Sequence, residues 1–494
     1  MEQARKIPLA AETTADQPTL AIASFPGHDP DGQGRPTDNT GAGIAPAMDT
    51  PEDGVADDFL FGAELASWAV AHAGQSLAAA ISEAEELIRQ CRWQDIVALF
   101  HPVEEKMPEL AATGMDLDLR QKVAFALGQI GRHEEAIAVL EKVVAGRPDD
   151  FLAHSSLAYT LVQSLRDAKN RKVLLIRSER ERRVKLAHHH FSRCRRLRPN
   201  SVTTHYREGI LYKEVENKPR LAAPFFEQAV SLWRGLPSDE QTRRHQERPK
   251  YIRSLYHLAS CRLDEGKASQ ALALLEGLLD EDEGKNLMSP LFKHFAKGKC
   301  LYALGRHQEA LVHLELAAAT AGDEAHDFVR ELAARAALAM NEPGRAFGYI
   351  NRVPQRKRRP YESWTEADAL VALGRGSEAI RVLEAAADRD RRGRHKALIR
   401  LSRIHLREGR LEKALGLAIE ARDFCLGLYG NPSREAIFWE AAALFKLGRA
   451  SEALGRVEEL RRARFEYPHL GRLEARIRAA IKEGGHAGTA ATAG

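Results

Sequence analysis

Through most of the chain, apolar and polar residues alternate at helical spacing, and the pattern returns as a block of about 34 residues. The clearest block is residues 117–150. Counted from its first residue, it places Ala124 at position 8, Gly131 at position 15, Ala136 at position 20 and Leu140 at position 24. A block with this pattern predicts two antiparallel amphipathic helices joined by a tight turn.

The residue types at these positions share one physical reason, which is that the two helices must pass close together. Positions 8 and 20 need small side chains where the helix backbones approach each other. Position 24 supplies a large apolar side chain that fills the groove to the next block. Glycine at position 15 ends the first helix because it adopts a left-handed backbone without strain. The defining residues of the block are therefore packing residues.

Nine further blocks follow the same register, five of them closely. The close copies are residues 252–285, 291–324, 360–393, 395–428 and 434–467, and the weaker copies are 77–110, 151–200, 202–236 and 327–359. The block at 202–236 fits if one extra residue is placed in its turn, and the block at 151–200 holds about 16 residues more than the repeat length. After the last block, residues 468–483 predict one further amphipathic helix that closes the array.

This spacing resembles the tetratricopeptide repeat (TPR) family over about residues 77–484. The resemblance implies an all-α fold, namely an α-solenoid of about ten TPR-like helix pairs with a C-terminal capping helix, in a superhelical domain over residues 59–484. It also implies a non-catalytic scaffold or adaptor that binds a peptide segment of a partner protein in its concave groove.

In TPR proteins, positions 2, 5, 9 and 12 of the first helix usually line that groove, so the resemblance selects candidate residues. Aromatic residues are 6% of the chain but recur at positions 2 and 5, and a cation occupies position 9 in three blocks. The predicted groove residues are Tyr206, Tyr256, Phe292, Phe295, Lys299, Phe328, Arg335, Tyr361, Trp364 and Arg403. Aromatic and arginine side chains dominate binding hot spots, so we expect a ligand with apolar anchors and acidic groups. The alternative is that some of these rings pack between repeats as core.

The most basic stretch runs from Arg166 to Arg198, where 13 Lys or Arg residues oppose 3 acidic ones. Most of it is an insertion near residues 166–186, whose predicted basic patch comprises Arg171, Lys172, Arg177, Arg180, Arg182, Arg183 and Lys185. Such an extension can bind nucleic acid phosphates or an acidic protein surface. A lengthened helix pair with a solvated charged face explains it better, because few aromatic residues interleave the charges. Two hypotheses therefore stand beside the scaffold: a nucleic-acid-associated subunit, and a regulatory subunit of an enzyme complex.

The two ends of the chain differ from the repeats. Residues 1–58 are rich in Pro, Gly, Asp, Thr and Ala without periodicity, which predicts a disordered tail. The first 60 residues hold 3 basic and 11 acidic residues, which gives them a net charge of −8. Since the whole chain has a net charge of +4, residues 61–494 carry +12. Residues 485–494 are rich in Gly, Ala and Thr and are also predicted to be disordered. No segment approaches the roughly 20 apolar residues of a membrane span, so no membrane insertion is expected.

Nothing in the sequence indicates catalysis. The chain contains no GxGxxG, GxxxxGK[ST], GxSxG or HExxH motif, so we expect no enzyme activity and no cofactor. Its five cysteines are widely spaced without a CxxC pair, which favours a reducing, cytoplasmic location. His188, His189 and His190 are adjacent, with Cys194 four residues after His190. Consecutive helix residues point about 100° apart, so the triplet cannot converge on one ion, and no metal site is predicted.

Overall fold

The computed structural model describes the backbone of residues 62–320 and 327–490, and among these the side chains of all but residues 62–73, 357 and 484–490. The predicted acidic tail at residues 1–58 and the final residues 491–494 lie outside the described part. Within it the chain forms helices and turns and contains no strand, which confirms the all-α prediction. None of the helices in these ranges combines the length and apolar character that a bilayer span needs.

The chain divides into two compact units, whose described parts are residues 62–288 and 289–490. The helices of the first unit are α1 (Gly62–Arg89), α2 (Trp93–Phe100), α3 (Val103–Lys106), α4 (Pro108–Thr113), α5 (Leu117–Gln129), α6 (His133–Gly146), α7 (Phe151–Lys169), α8 (Arg177–Leu197), α9 (Val202–Ile210), α10 (Pro219–Arg234), α11 (Ser238–Arg243), α12 (Arg248–Asp264) and α13 (Ala268–Glu281). The helices of the second unit are α14 (Pro290–Ala303), α15 (His307–Thr320), α16 (Asp327–Ala339), α17 (Pro343–Asn351), α18 (Pro360–Ala372), α19 (Gly376–Arg389), α20 (Arg394–Arg407), α21 (Leu411–Tyr429), α22 (Arg434–Lys446), α23 (Ala450–Arg462) and α24 (Leu470–Ala490).

Inside each unit, the helices stack in chain order. The two helices of a pair pack against each other, and the first helix of a pair also packs against the first helix of the next pair. This is the arrangement of an α-solenoid, in which each repeat buries its apolar face against its chain neighbours. The first helices therefore share one face of their unit.

The turn after each first helix contains a residue with a left-handed backbone, as position 15 predicts. In the six close copies this residue is glycine, with φ between 76° and 80°: Gly131, Gly266, Gly305, Gly374, Gly409 and Gly448. In the weaker copies it is Cys91, Arg171, Asn217 or Asn341, with φ between 54° and 62°. The repeat geometry is thus kept where the glycine signal is missing, because neighbouring packing outweighs the cost of a left-handed side chain.

Positions 8, 20 and 24 meet as the packing argument requires. A Cβ atom on Gly298, at position 8 of its block, would lie 2.8 Å from Cγ of Leu314 at position 24 and 3.2 Å from the carbonyl oxygen of Ala310 at position 20. A Cβ atom on Gly209 would likewise lie 2.6 Å from the ring of Phe226. The absence of a side chain at these positions is what allows the two helices to touch.

The extra residues of the block at 151–200 lengthen both of its helices. The helix α7 has 19 residues and α8 has 21, against 13 and 14 for α5 and α6. The turn after α7 is closed by two hydrogen bonds, from Arg171 N to Ala168 O at 3.1 Å and from Lys172 N to Asp167 O at 2.9 Å. The insertion is therefore a longer copy of the same helix pair.

The one extra residue of the block at 202–236 is accommodated inside the helix. After α9 the chain continues as a π-helical turn, Leu211–Val215, which takes up one residue more than an α-helical turn. The long helices of the preceding pair hold this turn: Arg166 pairs with Glu214 at 2.9 Å, and Arg180 donates to the carbonyl oxygen of Val215 at 3.1 Å. These two irregularities of the repeat pattern are therefore in direct contact.

The closing helix is present and is longer than predicted. It runs Leu470–Ala490, past the predicted end at residue 483. Leu470 and Ile477 are buried against the preceding pair, so this helix covers the apolar end of the second unit.

Candidate functional site

Eight of the ten predicted groove residues lie in the second unit, on the face formed by its first helices α14, α16, α18 and α20. Phe292, Phe295 and Lys299 lie on α14, Phe328 and Arg335 on α16, Tyr361 and Trp364 on α18, and Arg403 on α20. Seven of these side chains are half-buried, and Phe295 is buried at 7% exposure. The face therefore consists of partly covered rings and cations, and it is neither an open charged surface nor a sealed core.

At one end of this face two predicted rings pack against each other. Phe295 and Phe328 meet edge to face, with ring centroids 4.6 Å apart. Such contacts stabilise the packing of neighbouring helices. Phe295 therefore serves the core between α14 and α16 more than it serves a ligand, which is the alternative that the sequence left open.

Arg335 lies beside the ring of Tyr302, with its guanidinium carbon 5.1 Å from the ring centroid. The carboxylate of Glu331, on the same helix, is 3.9 Å from the Arg335 side chain and accepts a hydrogen bond from Thr365 Oγ1 at 2.7 Å. Burial raises the pKa of Glu331, and the charge of Arg335 opposes that shift. Arg335 is thus a cation with an internal counter-charge.

Trp364 carries two cations of the next first helix on its ring. Lys396 Nζ is 5.1 Å and the guanidinium carbon of Arg400 is 5.5 Å from the ring centroid. Arg400 is paired with Asp368 at 3.2 Å. Burial lowers the pKa of the half-buried Lys396, and the nearby charge of Arg400 adds to this shift. Lys396 makes no ion pair with a carboxylate of the described residues.

The pattern continues on the following pair, where Arg403 lies 5.2 Å from the ring centroid of Trp439. The indole N–H groups of Trp364 and Trp439 are buried and find no acceptor among the residues that the structure describes. We call the set Tyr302, Arg335, Trp364, Lys396, Arg400, Arg403 and Trp439 the ring–cation surface.

Sequence reasoning found three members of this surface and missed four. It selected Arg335, Trp364 and Arg403 from repeat positions 5 and 9, but not Tyr302, Lys396, Arg400 or Trp439. Lys396 is at position 2 and Tyr302 at position 12 of their blocks, so the groove positions named above already include both residues. For Arg400, at position 6, the signal is the register between consecutive blocks, because position 5 of one first helix faces positions 2 and 6 of the next, as Trp364 faces Lys396 and Arg400.

The other two predicted groove residues lie in the first unit. Tyr206 is 1% exposed and packs between Phe226 and His257, with ring centroids at 6.3 Å and 6.0 Å. Its assignment to a ligand-contacting groove is therefore corrected, because Phe226 of α10 and His257 of α12 cover the ring. Tyr256 is half-buried, and Lys213 Nζ lies 5.9 Å from its ring centroid.

The predicted basic patch is divided by the structure into packed and exposed members. Arg183 is 4% exposed and pairs with Glu179 of its own helix at 2.6 Å and with Glu134 of α6 at 2.5 Å. This corrects its assignment to an exposed patch. Arg183 belongs to the packing between α6 and α8.

The remaining cations of the patch lie at the surface. Arg177 pairs with Glu181 at 2.8 Å and Arg182 with Glu179 at 2.8 Å, both along α8. Lys172 pairs with Asp167 at 3.2 Å. Arg171, Arg180 and Lys185 are also exposed, and Arg180 donates to the π-helical turn as described above.

The adjacent histidines point to different neighbours. His188 contacts Glu208 and Glu216 at 3.3 Å and 2.8 Å, whereas His190 Nδ1 meets His154 Nδ1 at 2.8 Å. Burial raises the pKa of Cys194 to about 12, which keeps its thiol protonated. Within the described ranges, no group of three or more His, Cys, Asp or Glu side chains is arranged to hold a metal ion.

Comparison with known proteins gives one family match. A family model for the tetratricopeptide repeat matches residues 365–423, and no curated protein matches the chain. Similar solved structures include the human IFIT1 dimer with PPP-AAAA, at 15% identity over 80% of this chain and 87% of that one, with a TM-score of 0.41. A tetratricopeptide repeat protein from Parabacteroides merdae is 12% identical over 60% of this chain and 99% of its own, with a TM-score of 0.40. Yeast Tom70 is 13% identical over 83% and 96%, with a TM-score of 0.38. The family match shows that residues 365–423 carry tetratricopeptide repeats, and the turns of the other helix pairs follow the same pattern.

Proposed function

We propose that this protein is a non-catalytic scaffold or adaptor whose ring–cation surface binds a peptide segment of a partner protein. The observation that carries the proposal is the position of Lys396. Its charge is half-buried over Trp364 and beside Arg400, and no carboxylate of the described residues pairs with it. The carboxylates of Glu435 and Asp390 act on Lys396 only through longer-range attraction and form no ion pair with it, so an arriving carboxylate can make the direct contact that is missing.

The chemistry of the surface defines the ligand. The cations Arg335 and Arg400 already have the internal carboxylates Glu331 and Asp368. A ligand with one or two acidic groups therefore matches the surface better than a polyanion. The half-buried rings offer apolar area beside the cations, so an apolar side chain next to the acidic residue would complete the contact.

A selection from a displayed peptide library against the immobilised full chain tests the proposal. We expect enrichment of peptides with Asp or Glu next to an apolar residue, and loss of their binding to a Trp364→Ala, Lys396→Ala variant. The matched control is Lys413→Ala, which removes an exposed lysine from the second helix α21 of the same pair. Peptides without acidic residues, or peptides that bind the double variant as well as the native chain, would refute the proposal.

The nucleic-acid hypothesis has weaker support. Arg183, one of the seven cations predicted for the basic patch, is buried in an ion pair with Glu134 and is therefore not available to phosphates. Retained partner binding at high salt would distinguish the ring–cation surface from phosphate contacts, which weaken steeply with ionic strength. The regulatory-subunit hypothesis uses the same surface and differs only in the identity of the partner.

A cytoplasmic location also remains part of the proposal. All five cysteines are free thiols, and four of them are buried in the packing of the helices. Free thiols in these positions are compatible with a reducing compartment.

A further inference from the structure

The turn between α7 and α8 exposes two large apolar side chains at its tip. Leu174 is 95% exposed and Ile176 is 73% exposed, the two highest values for large apolar residues in the described part of the chain. Leu175, between them, packs against the core of the first unit. The turn thus anchors its middle residue and directs the two flanking side chains into solvent.

The conformation of this turn is defined at both ends. Arg171 has a left-handed backbone, and its neighbour Lys172 closes the end of α7 by a backbone hydrogen bond and by an ion pair with Asp167 at 3.2 Å. At the other end Ile176 is extended, with φ of −66° and ψ of 155°, and α8 begins at the next residue. The exposure of Leu174 and Ile176 is therefore a property of a structured turn.

Cations surround the two apolar side chains. Lys172 and Arg177 have side chains that are 68% and 92% exposed, and Arg171 is also exposed. The ion pairs of Lys172 and Arg177 are open to water, where such pairs contribute little, so these cations are available to another anion.

The neighbouring segment has a similar composition. It follows the π-helical turn, to which Arg180 donates at Val215 O, and it presents Lys218 before α10 and Leu221 in the first turn of α10, each about half exposed at 51%. Two neighbouring segments at one end of the first unit therefore combine exposed leucine or isoleucine with lysine or arginine.

We propose that this apolar tip, comprising Arg171, Lys172, Leu174, Ile176 and Arg177, makes peripheral contact with an anionic lipid surface. The apolar side chains would enter the boundary between headgroups and acyl chains, and the cations would reach the lipid phosphates and carboxylates. The helix α7 has 19 residues against 13 for α5, and the six additional residues lengthen it by roughly 9 Å towards the tip.

The composition favours lipid over the other partners that a basic turn can bind. A nucleic acid would match the cations but would leave Leu174 and Ile176 in water. A protein would need a pocket shaped for two protruding side chains, with acidic residues around its rim. A bilayer surface supplies the apolar and anionic layers together and requires no matching shape.

Flotation of the full chain with lipid vesicles tests the proposal. We expect binding to phosphatidylcholine vesicles that contain phosphatidylserine, and little binding to phosphatidylcholine alone. A Leu174→Asp, Ile176→Asp variant should lose about a hundredfold or more in binding, because the apolar insertion is removed and two carboxylates are added beside the anionic lipid. Arg171→Ser should lose about fivefold, since one cation near the surface is removed. Both sites are exposed turn positions, so the circular dichroism of the variants should match that of the native chain.

The matched control is Leu426→Asp, Leu428→Asp on the helix α21, where two leucines outside the tip are 50% and 49% exposed. This control should bind vesicles as the native chain does. Absence of binding to anionic vesicles would overturn the proposal, as would equal binding by the tip variant. Self-association of the native chain that the tip variant abolishes, without vesicle binding, would assign the tip to a second copy of the chain and overturn the lipid proposal.

Discussion

Lys396 Nζ lies 5.1 Å from the centroid of the Trp364 ring, across the contact between two consecutive first helices. The contact joins position 2 of one repeat to position 5 of the repeat before it. A cation over an indole face gains about 0.5–2 kcal/mol, which partly offsets the loss of water around the ammonium group. A ligand carboxylate would offset the rest of the free energy that Lys396 loses when its ammonium group is removed from water. The first prediction tests this contact.

Replacing Lys396 by methionine should weaken binding of a selected acidic peptide by about tenfold, because a charge-assisted hydrogen bond is lost. The same peptide with its acidic residue changed to the amide should bind the native chain and the Lys396→Met variant alike. Fluorescence polarisation of labelled peptides measures both. If the acid and amide forms lose the same affinity on this substitution, Lys396 does not recognise the carboxylate.

The residue with a left-handed backbone in the turn after each first helix should affect stability through its backbone conformation alone. Gly131→Ala should lower the free energy of unfolding by about 1–2 kcal/mol, since a Cβ atom there meets nothing within 4 Å and only the backbone is strained. Arg171→Gly should raise it by about 1 kcal/mol for the same reason in reverse. Urea unfolding measures both changes. Opposite signs are the essential result, and a loss of stability in Arg171→Gly would show that its side chain has an unrecognised role.

Adding a methyl group at position 8 should lower stability because it clashes with the second helix of the pair. Gly298→Ala places Cβ 2.8 Å from Leu314 Cγ, so about 1–3 kcal/mol of stability should be lost as the helices are forced apart. Adding Leu314→Val to this variant should recover part of the lost stability, because the shorter valine side chain leaves more room for the new methyl group. If the two changes are additive in urea unfolding, the two side chains do not interact in the way we describe.

Two arginines of α8 should respond differently to replacement by alanine. Arg183→Ala removes a buried side chain that pairs with Glu179 and Glu134, and we expect a loss of about 1–2 kcal/mol in the free energy of unfolding, since both carboxylates remain in contact with water. Arg177→Ala, at a side chain that is 92% exposed, should not change it measurably. Comparable losses for both variants in urea unfolding would contradict the division of the basic patch into packed and exposed members.

The pair of His154 and His190 should make stability depend on pH. Burial, with smaller contributions from His154 and His189, lowers the pKa of His190 from 6.5 to about 4. The unfolded chain therefore binds the proton first, so stability that is present above about pH 6.5 is lost as the pH falls towards 4, by roughly 2–3 kcal/mol. Urea unfolding across this range should show a flatter pH dependence for His190→Gln. The exposed neighbour His189→Gln is the control, and it should change the pH dependence only slightly, because His189 makes a smaller contribution to the lowered pKa of His190 than burial does.

The sequence alone determined the repeat and its local geometry. Glycine at position 15 and small residues at positions 8 and 20 act within one helix pair, so their consequences can be deduced from spacing. The left-handed turns at Gly131 and its equivalents, and the close approach at Gly298, follow from those residues alone. The tertiary structure decided what lies between repeats and between helices: the burial of Tyr206 and Arg183, the placement of Lys396 over Trp364, and the outward direction of Leu174. These depend on which side chains of different helices meet, and a pattern read along one chain does not contain that information, because the same residue type is stable in the core or at the surface according to its neighbours.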